Sequence, residues 1–281
     1  MPPCPRCAGV GVKKDGQDGE TQRYRCRSCR RTFIGRTGTP CAGHRWPQEV
    51  IVTAVRWYLR YRLSAADVRD LLAERGVDVS ARTVLHWVQK FAPLLARAGR
   101  RAATRLGRRW WCDETYVRVG GKWAYLYRAI DEADQVVDVL LRTHRDLDSA
   151  RAFFVLATSR RHAVPEEVIT DKHPAYVRAV RDEAAGAQHT PSGLHRAHGP
   201  DTKPIERSHV PTKDRLRPMR GFQSIRTGQR ALEGVELARA VQRGHVAAPG
   251  TRAGGEAGPH ARARAAATTF AWLAEGLRVA A

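Results

Sequence analysis

Acidic charge, long apolar runs and cysteine are all scarce in this sequence of 281 residues. Asp and Glu total 28 against 49 Lys and Arg, a formal charge of +21. That shortage of acid excludes a neutral surface and points to a polyanionic partner. No stretch approaches the roughly 20 apolar residues that a membrane helix needs. The start, Met1-Pro2-Pro3-Cys4, lacks the charged and then apolar segments of a secretory leader. A cytoplasmic protein with no membrane partner is therefore expected. At 42% hydrophobic residues the chain is too apolar for a disordered polycation. Its length suits one sizeable core with one or two small modules.

Four of the six cysteines form Cys4-x-x-Cys7 and Cys26-x-x-Cys29, with 18 residues between the pairs. This spacing fits a structural four-thiolate Zn²⁺ site, because each short turn aims two sulfurs at one point and the intervening hairpin closes the tetrahedron. So short a segment buries little core, which makes metal the expected source of its folding energy. Residues 1–45 thus read as a zinc ribbon, with Cys41 and His44 as a competing ligand pair. Cys112 reads as a buried strand residue.

Residues 46–92 carry helical periodicity. Pro47 suits a first helix; Ser64 caps a second that ends at Gly76; Ser80 caps a third. Two short helices joined through a glycine turn read as a helix-turn-helix, whose second helix offers Arg82, Leu85, His86 and Gln89 as DNA contacts. A plain three-helix bundle with a solvated basic face is the alternative. Residues 93–107, with four arginines, read as a basic linker.

Beyond residue 107 the pattern changes to strands at 110–119, 123–130 and 136–141, the first two joined by Gly120-Gly121. A helix at 147–158, a short strand at 167–170, and helices at 174–184 and from 205 onward complete a mixed α/β sheet. Asp113 falls in the first of these strands, Asp171 directly after the fourth, and Glu206 at the start of the later helix, with 34 residues between the last two. Carboxylates gathered at one point repel unless cations neutralise them, so convergence implies bound Mg²⁺ or Mn²⁺ and suits phosphodiester chemistry at a two-ion site. Glu114 alternates to the opposite strand face and reads as structural or solvated. Trp110, Trp111, Trp123 and Tyr125 read as sheet packing rather than stacking platforms. Arg215, Arg217 and Arg220 read as following a DNA backbone.

The segments WWCDETYVRVGGKWAYLYRAID, VITDKHPAYVRAV and IERSHVPTKDRLRPMRGFQS resemble, in order and spacing, the three catalytic blocks of DDE transposases of the insertion-sequence-six family. The resemblance covers residues 44–245. It implies an RNase H-like catalytic domain over 108–245, with Asp113, Asp171 and Glu206 as metal ligands and Lys213, seven positions after Glu206, contacting DNA near the cleaved phosphate. It also implies metal-dependent cleavage at inverted repeats, strand transfer into target DNA through a cointegrate without ATP, a homodimer or higher oligomer, and a prokaryotic, nucleoid-associated setting. Two departures stand out. GPDTKPIE replaces the family's paired Asn before the catalytic Glu, and the zinc ribbon is an addition. Residues 246–281 read as a flexible tail with a short terminal helix. The other function class is a catalytically inactive or domesticated DNA-binding derivative; a cellular RNase H-like nuclease is a third.

Overall fold

The computed structural model describes residues 1–19, 21–191, 203–251 and 258–277. No helix among them is long and apolar enough to cross a membrane. The N-terminal strands β1 (Val12–Asp18), β2 (Thr21–Cys26) and β3 (Thr32–Ile34) form an antiparallel sheet. Its small core is Cys4, Val12, Cys26 and Phe33, so the thiols occupy space that a larger module fills with hydrocarbon.

Helices α1 (Gln48–Arg60), α2 (Ala65–Ala73) and α3 (Ala81–Ala102) follow. Ser64 and Asp67 make a reciprocal capping box that starts α2, and the Ser80 hydroxyl accepts from Thr83 N–H at α3. The segment expected as a basic linker is helical as far as Ala102. Pro93 lies inside α3 without ending it, and the apolar stripe Val84, Trp87, Val88, Phe91, Ala92, Leu95 and Ala96 runs straight across it.

The main sheet contains β4 (Arg109–Val119), β5 (Lys122–Asp131), β6 (Val136–Arg142), β7 (Glu167–Thr170) and β8 (Gln188–Pro191), in the order β6-β5-β4-β7-β8. The β4–β5 and β5–β6 pairs are antiparallel; β4–β7 and β7–β8 are parallel. One face is covered by α4 (Leu147–Arg161) and α5 (Pro174–Glu183) over Trp110, Cys112, Tyr127, Phe153 and Tyr176. The other carries α6 (Lys203–Leu216) and α7 (Ile225–Gln242), with Leu232 packed on Leu126, Val139 and Leu141.

Helix α7 is buried nearly all round because it serves two cores. It closes this sheet, and through Val235, Leu237, Ala238 and Val241 it also completes the core of α1–α3. A Cβ on Gly234 would lie 2.8 Å from both Ala92 and Leu59, so this crossing requires glycine. The last helix, α8 (Pro259–Glu275), packs into the same helical core through Phe270, Leu273 and Ala274. The terminal helix expected within the tail is therefore a docked element. The GPDT of the loop before Glu206, the stretch 252–257, and the end of the tail from Arg278 lie outside the described residues.

Candidate active site

Strand β7 pairs with β4 only at Arg109, Trp110 and Trp111. Past that point no described strand pairs with the β7-side edge of β4 until Val119 meets Phe222 in an isolated bridge. Asp113 and Glu114 sit on this open stretch, and Asp171 follows the last residue of β7. Alternation sends the first two to opposite faces, yet long side chains can turn round an unpaired edge. Their carboxylate oxygens and that of Asp171 lie within 4.8 Å of one another. This corrects the expectation for Glu114: its side chain is 4% exposed, neither solvated nor remote from Asp113.

Among the described residues one arginine serves two of the three acids. Arg145 donates to Glu114 at 3.2 and 3.3 Å and to Asp171 Oδ2 at 2.6 Å. Burial pushes the Glu114 carboxyl above its ordinary pKa, against the pull of Arg145. His209 Nε2 lies 3.3 Å from Asp113 Oδ2. Arg128, paired directly across from Asp113 in the β4–β5 register, turns its guanidinium to Glu236 and Ser208 instead. The cluster therefore holds three carboxylates against one arginine. Such a surplus of hard oxygen donors fits a divalent cation.

Glu206 lies outside the group within 4.8 Å, exposed in the first turn of α6. Three residues later on the same helix, His209 reaches Asp113, so both share the face of α6 turned to the open edge. Lys213, one turn farther, borders a groove of about 500 Å³ with Tyr116, Trp123, Arg217 and Arg220. Trp123 and Tyr116 are 58% and 57% exposed, and Arg118 stacks on Trp123 at 4.7 Å, so Trp123 is not sheet packing; Trp110 is fully buried. Sequence reasoning missed Arg145 and His209. The i, i+3 spacing of Glu206 and His209 was the available signal for the histidine; Arg145 had none.

Two expected DNA contacts are turned inward. Gln89 donates to Thr227 O at 3.0 Å, because that side of α3 packs on α7. Arg215 is 5% exposed, bonds the carbonyls of Leu59 and Leu63 at 3.3 Å, and stacks on Tyr58 at 5.0 Å; burial lowers its pKa to about 10. Arg82, His86, Lys213 and Arg217 are exposed.

At the N-terminus the Sγ atoms of Cys4, Cys7, Cys26 and Cys29 also lie within 4.8 Å of one another, with Cys4–Cys29 and Cys7–Cys26 both at 3.6 Å. That is close to the ~3.8 Å edge of a tetrahedron with ~2.3 Å metal–sulfur bonds. The backbone N–H of Cys29 pulls the Cys26 thiol down to about 6, while the hydrogen bond to Cys26 helps push Cys7 up to about 11, so the two behave as one thiol–thiolate pair. Cys41 is instead buried in the helical core and His44 Nε2 meets Lys90 Nζ at 2.9 Å, which removes that pair from competition.

The DDE domain family of IS240-type transposases matches residues 107–245. Two relatives from Staphylococcus aureus are similar over 189 residues, 67% of this chain and 82% of theirs. They are the transposase for insertion sequence-like element IS431mec, 38% identical, and the transposase for insertion sequence element IS257 in transposon Tn4003, 37% identical. The crystal structure of the catalytic core domain of BIV integrase aligns at a TM-score of 0.37 and 14% identity, covering 49% of this chain and 84% of that one. The identity to the two relatives, over most of their length, decides the assignment: the chain belongs to the insertion-sequence-six family of DDE transposases.

Proposed function

We propose that the protein binds the terminal inverted repeats of an insertion sequence and joins its ends to target DNA by replicative transposition, acting as a homodimer or higher oligomer in the bacterial cytoplasm. The observation that supports this best is the surplus of carboxylates at the open edge of β4. Asp113 and Asp171 are the ligands for Mg²⁺ or Mn²⁺, with Glu206 completing the set from α6. A cation held there supplies Lewis-acid stabilisation of the charge that develops on phosphate oxygens.

The residues themselves do the positioning. Arg145 keeps Glu114 and Asp171 together, and His209 orients Asp113. Lys213 and Arg217 hold the phosphates of the reacting strand along the groove that starts beside Tyr116, about 10 Å along β4 from Asp113. Water adds across one phosphodiester bond at each element end, leaving a 3′ hydroxyl and a 5′ phosphate. That hydroxyl attacks a target phosphorus and displaces a target 3′ oxygen. In this second step one phosphodiester bond forms for each one broken, and the first is a downhill hydrolysis, so neither consumes ATP. Arg82 and His86 read DNA from the exposed face of α3, and Cys4, Cys7, Cys26 and Cys29 hold structural Zn²⁺.

Purified protein with Mg²⁺ is expected to join labelled inverted-repeat ends to a plasmid, and Asp171→Asn to abolish joining while end binding persists. Joining by that variant at the wild-type rate would refute the assignment. For the N-terminal module, dialysed protein should retain about one zinc per chain. A zinc-free chain whose residues 1–40 still resist proteolysis would refute the metal site.

A further inference from the structure

A large concavity lies away from the carboxylates. It is a cleft of about 1220 Å³ at the opposite end of the parallel strands, where β4 and β7 begin. Three segments wall it. The last turns of α3 contribute Arg97, Arg100 and Arg101; the connection into β4 contributes Arg105 and Arg108; the end of α4 contributes Arg160 and Arg161.

The acids nearby do not balance them. Arg108 pairs with Glu166, Arg160 with Asp138 and Glu233 at 3.4 and 3.0 Å, and Arg100 with Glu233 at 3.8 Å. Arg97, Arg101 and Arg105 form no ion pair among the described residues, and Arg161 spends one N–H on the Arg100 carbonyl at 3.3 Å. The three acids that pair with them leave four of the seven arginine charges unmatched, and Asp131 and Glu132, whose carboxylates accept from the backbone N–H groups of Gly107, Arg108 and Arg109, offset part of that excess.

Basic residues are ordinary at helix C-termini, and two helices end here. Each end offers about half a negative charge, so together they account for about one of the four. Burial holds the Arg161 guanidinium below its ordinary pKa; Asp138 and Asp131 pull it up, and the like charge of Arg100 pushes it down.

The lining also says what kind of anion would fit. No Phe, Tyr or Trp borders the cleft; the one ring in its lining is the exposed imidazole of His162, so the wall is dominated by guanidinium groups. Guanidinium groups favour the forked geometry of phosphate oxygens. The volume exceeds the roughly 300–1,000 Å³ of common small-molecule sites. Arg108 directly precedes β4, and Asp113 lies four residues past the strand's first residue, Arg109, about 13 Å along it, so the cleft is separate from the acidic edge.

We propose that this cleft is a second DNA site, which grips the phosphodiester backbone of duplex DNA without reading sequence while the reacting strand lies at the open edge of β4. The inference rests on the DNA-joining activity proposed above, but binding needs no chemistry and is measured without added Mg²⁺. The test compares the full-length chain with R97Q/R101Q/R105Q for affinity to a random-sequence duplex across a salt series. Three lost phosphate contacts make the slope of log affinity against log salt shallower by about 3. R97K/R101K/R105K, which keeps the charges, retains the steep slope.

A loss confined to the random duplex assigns the cleft to target DNA. An equal loss on an inverted-repeat duplex assigns it to DNA flanking the ends. Either outcome supports the site. A glutamine variant that melts with the wild type and keeps its slope on both duplexes overturns it. Should the triple variant fold poorly, Arg105→Gln, outside any helix, reports the same effect as a slope change of about 1. If the wild type joins no ends in Mg²⁺, the acidic-edge reading fails while the salt slope still judges the cleft.

Discussion

Two groups of acids flank the same antiparallel pair, β4 and β5, and have opposite fates. On the α7 side, Glu236 and Asp134 are answered by Arg128, Arg239 and Arg243. Arg128 is fully buried and bonds Glu236 through two nitrogens at 3.0 and 3.1 Å, while Thr212 donates to the same carboxylate. At the open edge, Asp113, Glu114 and Asp171 have one arginine between them. Arg128 stands directly across from Asp113, so the strand register would have allowed a local pair; the guanidinium goes to Glu236 instead. Acids with cations to spare are part of the scaffold, and acids left in surplus are available for added positive charge.

That contrast can be broken by substitution. Asp171→Asn is expected to lower strand transfer by about a thousandfold or more, the several kcal/mol a bound cation supplies, with the melting temperature unchanged or raised because like charge is relieved. Glu236→Ala should do the reverse. It strands Arg128 in the core and costs about 3–5 kcal/mol of stability, read as a fall in the thermal midpoint. Equal loss of stability in both variants would erase the distinction.

Glu114→Gln lies between the two, since it frees Arg145 without removing a carboxylate from Asp113 or Asp171. A tenfold to hundredfold loss of joining is expected, as for groups that orient ligands, with the metal concentration for half-maximal rate raised. A smaller effect than from Glu206→Gln would identify α6 as the source of the third ligand.

The mildest effect is on the acid limb of stability. Burial alone would raise the Glu236 carboxyl, but Arg128 and Arg239 outweigh it and hold the pKa below 4.5. A carboxyl lowered in the folded state contributes stability fully above its unfolded value, and loses it as pH falls through the folded one. Wild-type stability should therefore decline below pH ~4.5, and Glu236→Gln should show a shallower decline.

Much of this was legible before any coordinates. The Cys-x-x-Cys pairs, the caps at Ser64 and Ser80, and the strands before and after Gly120-Gly121 are local signals, carried by spacing and turn chemistry. Asp113, within β4, and Asp171, directly after β7, were singled out by the resemblance of their segments to the family's catalytic blocks, not by spacing alone. Gln89 and Arg215 were misread for one reason: helical periodicity shows which residues share a face, not whether another helix covers it. The solvated reading of Glu114 failed because alternation assumes a paired edge, and the pairing of β7 with β4 stops at Trp111.

Readable from the chain alone are the excess of basic charge, the four-thiol spacing, the helix caps at Ser64 and Ser80, and the strands on either side of Gly120-Gly121. All of these depend on residues close along the chain. Only the tertiary structure decided that α7 serves two cores, that Arg128 turns away from Asp113, that Glu114 joins the acidic edge, and that seven arginines meet in a cleft behind it. Those depend on which faces are covered and which edges end early, and both are set by contacts between segments far apart in sequence.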